Sequence, residues 1–397
     1  MKTEAPAPLA RNRHVLVSAL GVTQILAWGS SYYLPAVLAA PIARDTDWSL
    51  ASVVAGLSCG LLLAGLVSPI TGRLIQRHGG RPVLAAGSLL LAAAHSLLAS
   101  ATAYPLYLLA WLLMGLGMSS GLYDAGFATL GRLYGQGARS AITNLTLFGG
   151  FASTVCWPLS AFLVEHGGWR IACLSYAAIH LAIGLPLHLW VIPSPPAAAP
   201  APARAERKEV STEGRARTRF ILLASIQTLA AMIASMLSVH LLTLLQLRGV
   251  GLAAAVGLGA LVGPSQVGAR VAELLIGRNR HHPIWTMLAS VSLLAAGVWL
   301  LLTSQTFVAL ALILYGAGNG IHTIARGALP LVLFDPQQYA ALMGKLATPS
   351  LIVQAAAPSI GALLLDMGGG NLVLTTLALA ATVNVGLCAC LVAAVRR

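Results

Sequence analysis

The chain has 397 residues, of which 57% are hydrophobic and only 9% are charged, and its mean hydropathy is +0.82. Soluble domains carry roughly a quarter charged residues, so this chain has too few charges to cover a surface that faces water. Its apolar runs are about 20 residues long, the length of a helix that crosses a bilayer, whereas membrane barrels alternate over about ten residues. The composition excludes a soluble protein and a barrel, and it predicts an all-α polytopic membrane protein.

Twelve membrane spans are predicted along the chain. In order they cover residues 14–40, 50–75, 82–101, 104–131, 139–165, 170–192, 219–247, 252–277, 283–303, 306–333, 339–366 and 371–395. The first is too long for the apolar region of a signal peptide and lacks a small-residue cleavage site followed by a soluble domain, so we expect no cleavable signal.

The net charge of +13 is distributed asymmetrically between alternate loops. With the N-terminus inside, the cytoplasmic segments hold 18 of the 24 lysines and arginines, the outer loops hold three, and the spans hold three. Positive loops remain in the cytoplasm, which predicts both termini there, in an inner membrane of the bacterial type. We therefore expect the excess charge to contact anionic lipid headgroups and not nucleic acid.

Motifs for catalysis or cofactor binding are missing from the sequence. The five cysteines form no CxxC pair and no metal-spaced cluster, and there is no HExxH or nucleotide-binding motif. We expect neither an enzyme nor a protein with a metal or cofactor. A membrane-embedded sensor would need a sizeable cytoplasmic domain, which the loops between the spans do not provide.

Residues 193–218 form a Pro/Ala-rich and then charged segment that predicts a cytoplasmic linker. It separates a six-helix bundle at 1–192 from a second one at 219–397. The halves look related, because an offset of about 201 residues aligns Gly115 with Gly316 and Gly117 with Gly318, and brings Asp124 within one position of Arg326. Internal repeats of this kind mark secondary transporters, whose substrate site lies between the repeats.

The loop between spans two and three, GRLIQRHGGRPVL, resembles the signature of the major facilitator superfamily. Four of the matching positions are expected to form a conformational motif: Gly72, Arg77, Gly79 and Arg81. Gln76 stands where that family usually has Asp, which implies a weaker latch between the bundles. Trp111 stands where many members have an arginine linked to proton coupling, so coupling would have to come from elsewhere. The resemblance implies two pseudo-symmetric six-helix bundles in a monomer.

Span eight, with GPSQVGARVAEL, is similar to the monocarboxylate and oxalate–formate branch of that family. Members there carry an arginine that faces a carboxylate substrate, which Arg270 matches, while Gln266 replaces the Asp of monocarboxylate carriers. Lys345 of span eleven matches the basic residue of oxalate–formate exchangers. Both cations lie within two turns of a span end, so extension of the side chain to the membrane surface is an alternative for each.

Polar residues at helical spacing share single faces of several spans and predict a common wet cavity, because lipid would penalise them. The candidates for substrate binding are Arg326, Arg270, Lys345, Gln24, Trp28, Tyr32, Asn144, Gln266, Asn319 and His322. Packing is the alternative for Trp28 and Tyr32, and a hydrogen-bonding wall is the alternative for His322.

Asp124 and Glu273 are the acids placed inside spans and are the candidates for proton coupling. The repeat predicts that Asp124 faces Arg326 across the cavity, as a proton site or as a static ion pair. The three cations in spans outnumber these acids, which favours an anionic substrate, a small organic carboxylate. The leading hypothesis is a secondary active transporter working by rocker-switch alternating access, with a proton as the candidate coupling ion. Drug or metabolite efflux is the alternative.

Overall fold

The computed structural model describes residues 13–193, 210–276 and 281–396, and these residues are almost entirely α-helical. Within them, nine helical segments are long and apolar enough to cross a membrane. Two are far longer than one crossing, at residues 104–191 and 336–396. Chain reversals at Gly168, with φ 77°, and at Gly369, with φ 66°, divide these segments, because glycine adopts positive φ without a Cβ clash. The helical segments therefore accommodate all twelve predicted spans.

The first half contains spans one to six. Its helices are Arg13–Ser30, Pro35–Thr46, Leu50–His78, Gly80–Ala99, Tyr104–Gly121, Tyr123–Tyr134, Arg139–Gly149, Ala152–Ile179, the π-helix His180–Gly184 and Leu185–Val191, with a short 3₁₀ helix at Gly135–Ala138.

The second half contains spans seven to twelve. Its helices are Val210–Leu247, Leu252–Gly259, Val262–Ile276, Pro283–Thr303, Val308–Leu333 and Tyr339–Arg396, with a 3₁₀ turn at Pro336–Gln338. The helix of span seven begins at Val210, inside the segment predicted as linker. Residues 194–209 of that predicted linker lie outside the described part of the chain.

Four spans are interrupted between their two helices. Span one breaks at 31–34, span four at Leu122, span five at 150–151 and span eight at 260–261. Leu122 has extended backbone angles, φ −86° and ψ −171°, so the carbonyls just before it lose their helical partners. In lipid such groups must find partners inside the protein. The breaks therefore mark where polar side chains are needed.

The two halves repeat the same helix contacts. Gly115 of span four packs against the backbone of Gly60 in span two, and Gly316 of span ten packs against the backbone of Val262 in span eight. Each pair leaves no room for a Cβ atom, so glycine allows the backbones to touch. Span eight stands in the second half where span two stands in the first. The offset seen in the sequence thus corresponds to a repeated packing arrangement.

The halves share one buried core at one end of the molecule and have largely separate cores at the other. We call the end with the basic loops at 72–81, 132–139 and 281–282 the basic end. There, Ile142 and Tyr339 belong to one buried core formed by both halves. At the opposite end Trp111 lies in a core built almost wholly from the first half, which Ala355 of span eleven joins. Leu374 lies in a core of the second half alone. The seam between the bundles is closed at the basic end.

Candidate functional site

An ion pair between Asp124 and Arg326 joins the two halves in the middle of the seam. Arg326 Nη2 donates to both carboxylate oxygens of Asp124, and the side chains are 15% and 17% exposed, respectively, for Arg326 and Asp124. The break at Leu122 puts Asp124 in the first turn of a new helix, where the helix dipole favours a negative charge. The repeat in the sequence predicts this meeting, and the structure brings the two side chains together.

Arg270 of span eight is buried, with only 5% of its surface exposed. Its guanidinium donates from Nη1 to the carbonyl of Thr146 at 3.0 Å and from Nε to the carbonyl of Gly320 at 3.2 Å. Within the described residues it has no carboxylate partner. The alternative in which Arg270 extends to the membrane surface is therefore wrong, and Glu273 on the same helix is not its partner.

Gly150 makes room for that guanidinium. A Cβ atom at this position would lie 2.5 Å from Arg270 Nη1. Gly150 follows the C-terminal end of the first helix of span five, where its own N–H also bonds to the Thr146 carbonyl at 3.1 Å. Arg270 therefore acts as a cationic cap at the C-terminal end of this helix, where it adds a charged donor to a carbonyl that already accepts from Gly150.

Glu273 lies at the basic end and outside the central group. Its Oε1 accepts a hydrogen bond from Thr286 at 2.8 Å and lies 3.7 Å from Arg139 Nη2 and 3.4 Å from His281 Nε2. Glu273 lies one helical turn beyond Arg270, towards the basic loops, where Arg139 of the other half contacts it. Burial, and then the charge of Arg139, lowers the pKa of nearby His282. The structure gives Glu273 a place in a contact between the bundles.

Lys345 is exposed, while Met343, Leu346 and Ala347 of the same helix are buried. In the described parts of the chain Lys345 has neither a hydrogen bond nor an ion pair. Residues two apart lie on nearly opposite faces of a helix, so a position about two turns inside span eleven did not show which way this side chain points. The prediction that Lys345 joins the central cations stays a prediction.

Aromatic side chains surround the ion pair on the side of the first half. Trp28 lies 5.4 Å from Tyr32, 6.1 Å from Tyr33 and 5.2 Å from Tyr123, measured between ring centroids. The Trp28 Nε1 and Arg326 Nε atoms are buried and have no hydrogen-bond partner within the described residues. These are two free donors beside the central charges. An acceptor on a ligand would satisfy them.

Gln24 supports the break in span four. It is completely buried, and its Nε2 donates to the carbonyl of Gly121 at 2.6 Å, directly before the break at Leu122. This contact fixes the second helix of span four, which begins with Tyr123 and Asp124. Gln24, predicted as a substrate ligand, therefore has a local structural partner already.

The remaining polar candidates divide into two groups. His322 is buried and its Nδ1 lies 3.3 Å from Ser290 Oγ of span nine, inside the second bundle. That contact matches the predicted hydrogen-bonding wall. Asn144, Gln266 and Asn319 are half-buried, and no described residue bonds to their side chains. Their predicted role as ligands stays a prediction.

The loop motif after span two lies at the basic end. A Cβ atom at Gly72 would lie 2.6 Å from the Ala340 carbonyl and 3.1 Å from the backbone of Gly344, so this glycine permits spans two and eleven to touch. Gly79 adopts φ 83° and ends span two. Gln76 Nε2 donates to the Gln337 carbonyl of the other half. Arg77 is exposed and Arg81 is half-buried. The neutral Gln76 thus still connects the bundles.

The sequence predictions missed three contributors to this region. They are Tyr123, whose hydroxyl donates to the Thr146 carbonyl at 3.3 Å, Thr146 itself, and Arg139, which donates to the His281 carbonyl at 2.8 Å. An aromatic residue directly before an acid inside a span was a usable signal for Tyr123. A backbone carbonyl such as that of Thr146 carries no sequence signal, because every residue has one.

We define the central site as Asp124, Arg326, Arg270, Trp28 and Tyr123. Its formal charge is +1, with two guanidinium groups and one carboxylate. All five residues lie close to broken helices near the middle of the seam. A positively charged site of this kind can hold an anion between two bundles.

The overall arrangement of helices occurs in several solved transporter structures. The human organic anion transporter MFSD10 (TETRAN) has a TM-score of 0.75 at 15% identity, covering 95% of this chain and 99% of that one. The E. coli fucose:proton symporter FucP gives a TM-score of 0.69 at 14% identity for a variant, covering 96% of this chain and 99% of that chain. An outward conformation of FucP gives 0.71 at 15% identity, with the same coverage. At such identities the similarity shows the fold alone.

No curated protein sequence matches the chain. A family model does, and it covers residues 20–280, about two thirds of the chain. The model describes the Major Facilitator Superfamily, whose members are transporters rather than enzymes. The chain is thus an integral membrane protein, and it belongs to the Major Facilitator Superfamily.

Proposed function

We propose that this protein is a secondary active transporter of a small organic carboxylate, which it moves across the inner membrane by alternating access. The central site would bind the anion between the bundles. Arg270 and Arg326 would hold its carboxylate, and Trp28 would donate a further hydrogen bond. The positive loops would lie in the cytoplasm, together with both termini.

The observation that carries this proposal is that Arg270 has no counterion among the described residues. This guanidinium is buried in a membrane protein and bonds only to two neutral carbonyls among the described residues. A buried charge without a counterion is costly, and such residues inside membranes commonly mark substrate or ion pathways. A bound carboxylate would supply the missing negative charge, with the planar fork of arginine matched to it.

The asymmetry of the seam supports alternating access. Both halves share one core at the basic end, whereas the cores at the opposite end are largely separate. An anion would therefore enter from the opposite end in this conformation. Closing that end and opening the basic end would expose the same site to the other side.

Asp124 offers a means of coupling the anion to a proton. In the ion pair its carboxylate occupies Arg326 Nη2. Protonation of Asp124 would remove this competitor and free Arg326 for the substrate carboxylate. One proton and one monovalent anion together leave the formal charge of the site at +1, so the loaded site would cross the membrane with no added charge. A static ion pair remains the alternative.

Similarity of fold does not choose the substrate. The structures that resemble this chain include an organic anion transporter and a fucose:proton symporter. The same scaffold thus carries sites for different molecules. The proposal therefore depends on the central site of this chain.

A thermal-shift screen of the purified protein against carboxylates, sugars and lipophilic cations tests the proposal. We expect carboxylates to raise the unfolding temperature of the wild type and to lose most of this effect in Arg270→Gln. Gly268→Ala on the same helix is the matched control, because a Cβ there meets no atom within 4 Å. Stabilisation by lipophilic cations or sugars alone would contradict a carboxylate substrate.

Drug or metabolite efflux is a second candidate function. A largely apolar recess beside span five, at the opposite end of the first half, would suit a lipophilic compound. A cationic drug would need Asp124 as its counterion, although that carboxylate is already paired with Arg326. In the same screen, stabilisation by cations that disappears in Asp124→Asn would favour this second candidate.

A further inference from the structure

We infer that the transported carboxylate carries an apolar body, which lies in a recess between spans one and five while the carboxylate meets Arg270. This inference rests on the proposed function and narrows its substrate class to amphipathic monocarboxylates. Three features of the molecule support it: the recess, its connection to the central site, and the charge at the inner end of that connection.

The recess has a volume of about 600 Å³ and a nearly apolar lining. Its walls come from the second helix of span one and the second helix of span five, and include Ala36, Val37, Ser153, Trp157, Pro158 and Ala161. The recess is open on one side, because Trp157, Pro158 and Ala161 of its wall are exposed, and its volume suffices for a small molecule. The breaks in spans one and five directly precede these wall segments, so the recess begins at the depth where the central site lies.

A row of aromatic rings connects the recess to the central site. Trp157 lies 6.1 Å from Tyr33, and its Nε1 donates to the Tyr33 carbonyl at 3.3 Å. Tyr33 lies 6.1 Å from Trp28, which lies 5.2 Å from Tyr123. Tyr123 directly precedes Asp124 in the chain. The side wall between recess and charges is therefore aromatic, a surface suited to an apolar chain or ring.

The two ends of this path differ in chemistry. The inner end has the buried guanidinium of Arg270 without a counterion, and the outer part has few polar atoms. A hydrophilic anion of two or three carbons would neutralise the inner end and leave the apolar walls wet. An amphipathic monocarboxylate satisfies both ends, because its apolar part removes those walls from water. The complementarity selects a fatty or aryl-substituted acid over a dicarboxylate or a sugar acid.

Binding of straight-chain monocarboxylates from propionate to octanoate, with malate as a hydrophilic dicarboxylate, tests this inference. Affinity is measured by thermal shift against concentration at one pH, where all the acids are ionised. We expect the affinity to rise about fourfold for each added methylene until the recess is full, and malate to bind more weakly than hexanoate.

Ala161→Phe places a ring in the recess and should discriminate by chain length. We expect it to reduce octanoate affinity at least tenfold and to leave propionate affinity unchanged. Ala93→Phe is the matched control, since Ala93 is an exposed alanine of span three that does not line the recess. Longer acids partition into detergent equally in both measurements, so the comparison of the two variants cancels this effect.

The outcomes separate this inference from the proposed function. Suppose that carboxylate binding depends on Arg270 but is equal for propionate and octanoate, or is stronger for malate. This result would reject the recess as the place of an apolar substrate body and would retain the anion site. The absence of any carboxylate binding to the wild type would overturn both. Equal effects of Ala161→Phe and Ala93→Phe would also reject the recess as the binding place.

Discussion

The two ends of the seam between the bundles are built from different interactions. At the basic end the halves share a core, and Arg139 and Gln76 bond across the seam to His281 and Gln337. At the opposite end the cores are largely separate. The hydrogen bond from Ser235 to the Gln354 carbonyl lies within the second half, whereas Tyr32 of span one reaches Ser235 and Ser238 of span seven across the seam. The difference shows which contacts hold this conformation and which must break for the site to face the other side.

The contacts at the basic end are individually modest. They comprise backbone packing through Gly72, one ion pair with a separation of 3.7 Å and single hydrogen bonds. A seam held by strong interactions would not reopen, because a transporter must visit both conformations. The ion pair in the middle is the strongest polar link between the halves.

The largest expected effect comes from Asp124→Asn, which removes the link in the middle of the seam. Arg326 would remain mostly buried without a counterion, and we expect a loss of about 3 kcal/mol in stability. Thermal unfolding of the purified protein measures it. Asp45→Asn, which removes a more exposed pair with Arg170 inside the first half, should have a much smaller effect.

The double variant Asp124→Asn/Arg326→Gln should recover part of this loss, because no buried charge is then left alone. If the double variant is as unstable as the sum of the two single variants, the pair does not act as a unit.

The next largest effect is expected from Gly72→Leu, which should force the basic end of the seam open. The leucine would overlap the backbone of span eleven only when the bundles are closed there. The opening is measured as the distance between two spin labels, in a background without native cysteines. One pair is placed at Arg77 and Gln338 at the basic end, and a second pair at Leu50 and Gly251 at the opposite end. We expect the first distance to lengthen and the second to shorten.

Gly137→Leu is the control for Gly72→Leu. Gly137 also lies at the basic end, but a Cβ atom there meets nothing within 4 Å. Unchanged distances in both variants would mean that contact between spans two and eleven does not hold the basic end closed.

A smaller effect is expected from Glu273→Gln, which keeps the shape and removes the charge that faces Arg139 across the seam. This pair is about as buried as the central one, but its atoms are 3.7 Å apart and Arg139 keeps its bond to the His281 carbonyl. We therefore expect about 1 kcal/mol, roughly a fivefold change in the ratio of conformations. The spin-label distances report this as a larger open fraction at the basic end. Glu165→Gln, an exposed acid outside the seam, should leave the ratio unchanged.

The smallest effect is expected from Gln76→Ala, which removes one hydrogen bond to the Gln337 carbonyl. A net loss of about 0.5–1 kcal/mol is typical for such a bond, so the open fraction should grow by a few-fold at most. Gln136→Ala, an exposed residue of the neighbouring loop, is the control. A change larger than that of Glu273→Gln would show that the family position of Gln76 still acts as the main latch.

Much of the fold was predictable because lipid imposes simple demands on a sequence. Apolar runs of about 20 residues predict spans, and the repeat predicts that Asp124 and Arg326 occupy equivalent places in the two halves. Their meeting in the structure is therefore consistent with the sequence. The breaks in spans one, four, five and eight were not predicted, since an apolar run shows no interruption where the backbone leaves the helix.

The candidate site was only partly predictable. Helical spacing relates residues on one helix, but it does not say which face turns towards a neighbouring helix. Arg270 and Glu273 share a face by spacing, yet Arg270 caps a broken helix in the other half while Glu273 reaches the basic loops. For Lys345 too, spacing along the helix did not show which way the side chain points.

The sequence by itself determined that the protein is membrane-embedded, helical, built from two related halves and positively charged inside its spans. Composition, length of apolar runs and repetition are properties of the chain alone, and the bilayer acts on each segment separately. The tertiary structure decided which buried charges meet, which end of the seam is closed and where the helices break. Those features depend on backbone carbonyls and on contacts between distant helices, and only the folded arrangement of both bundles supplies them.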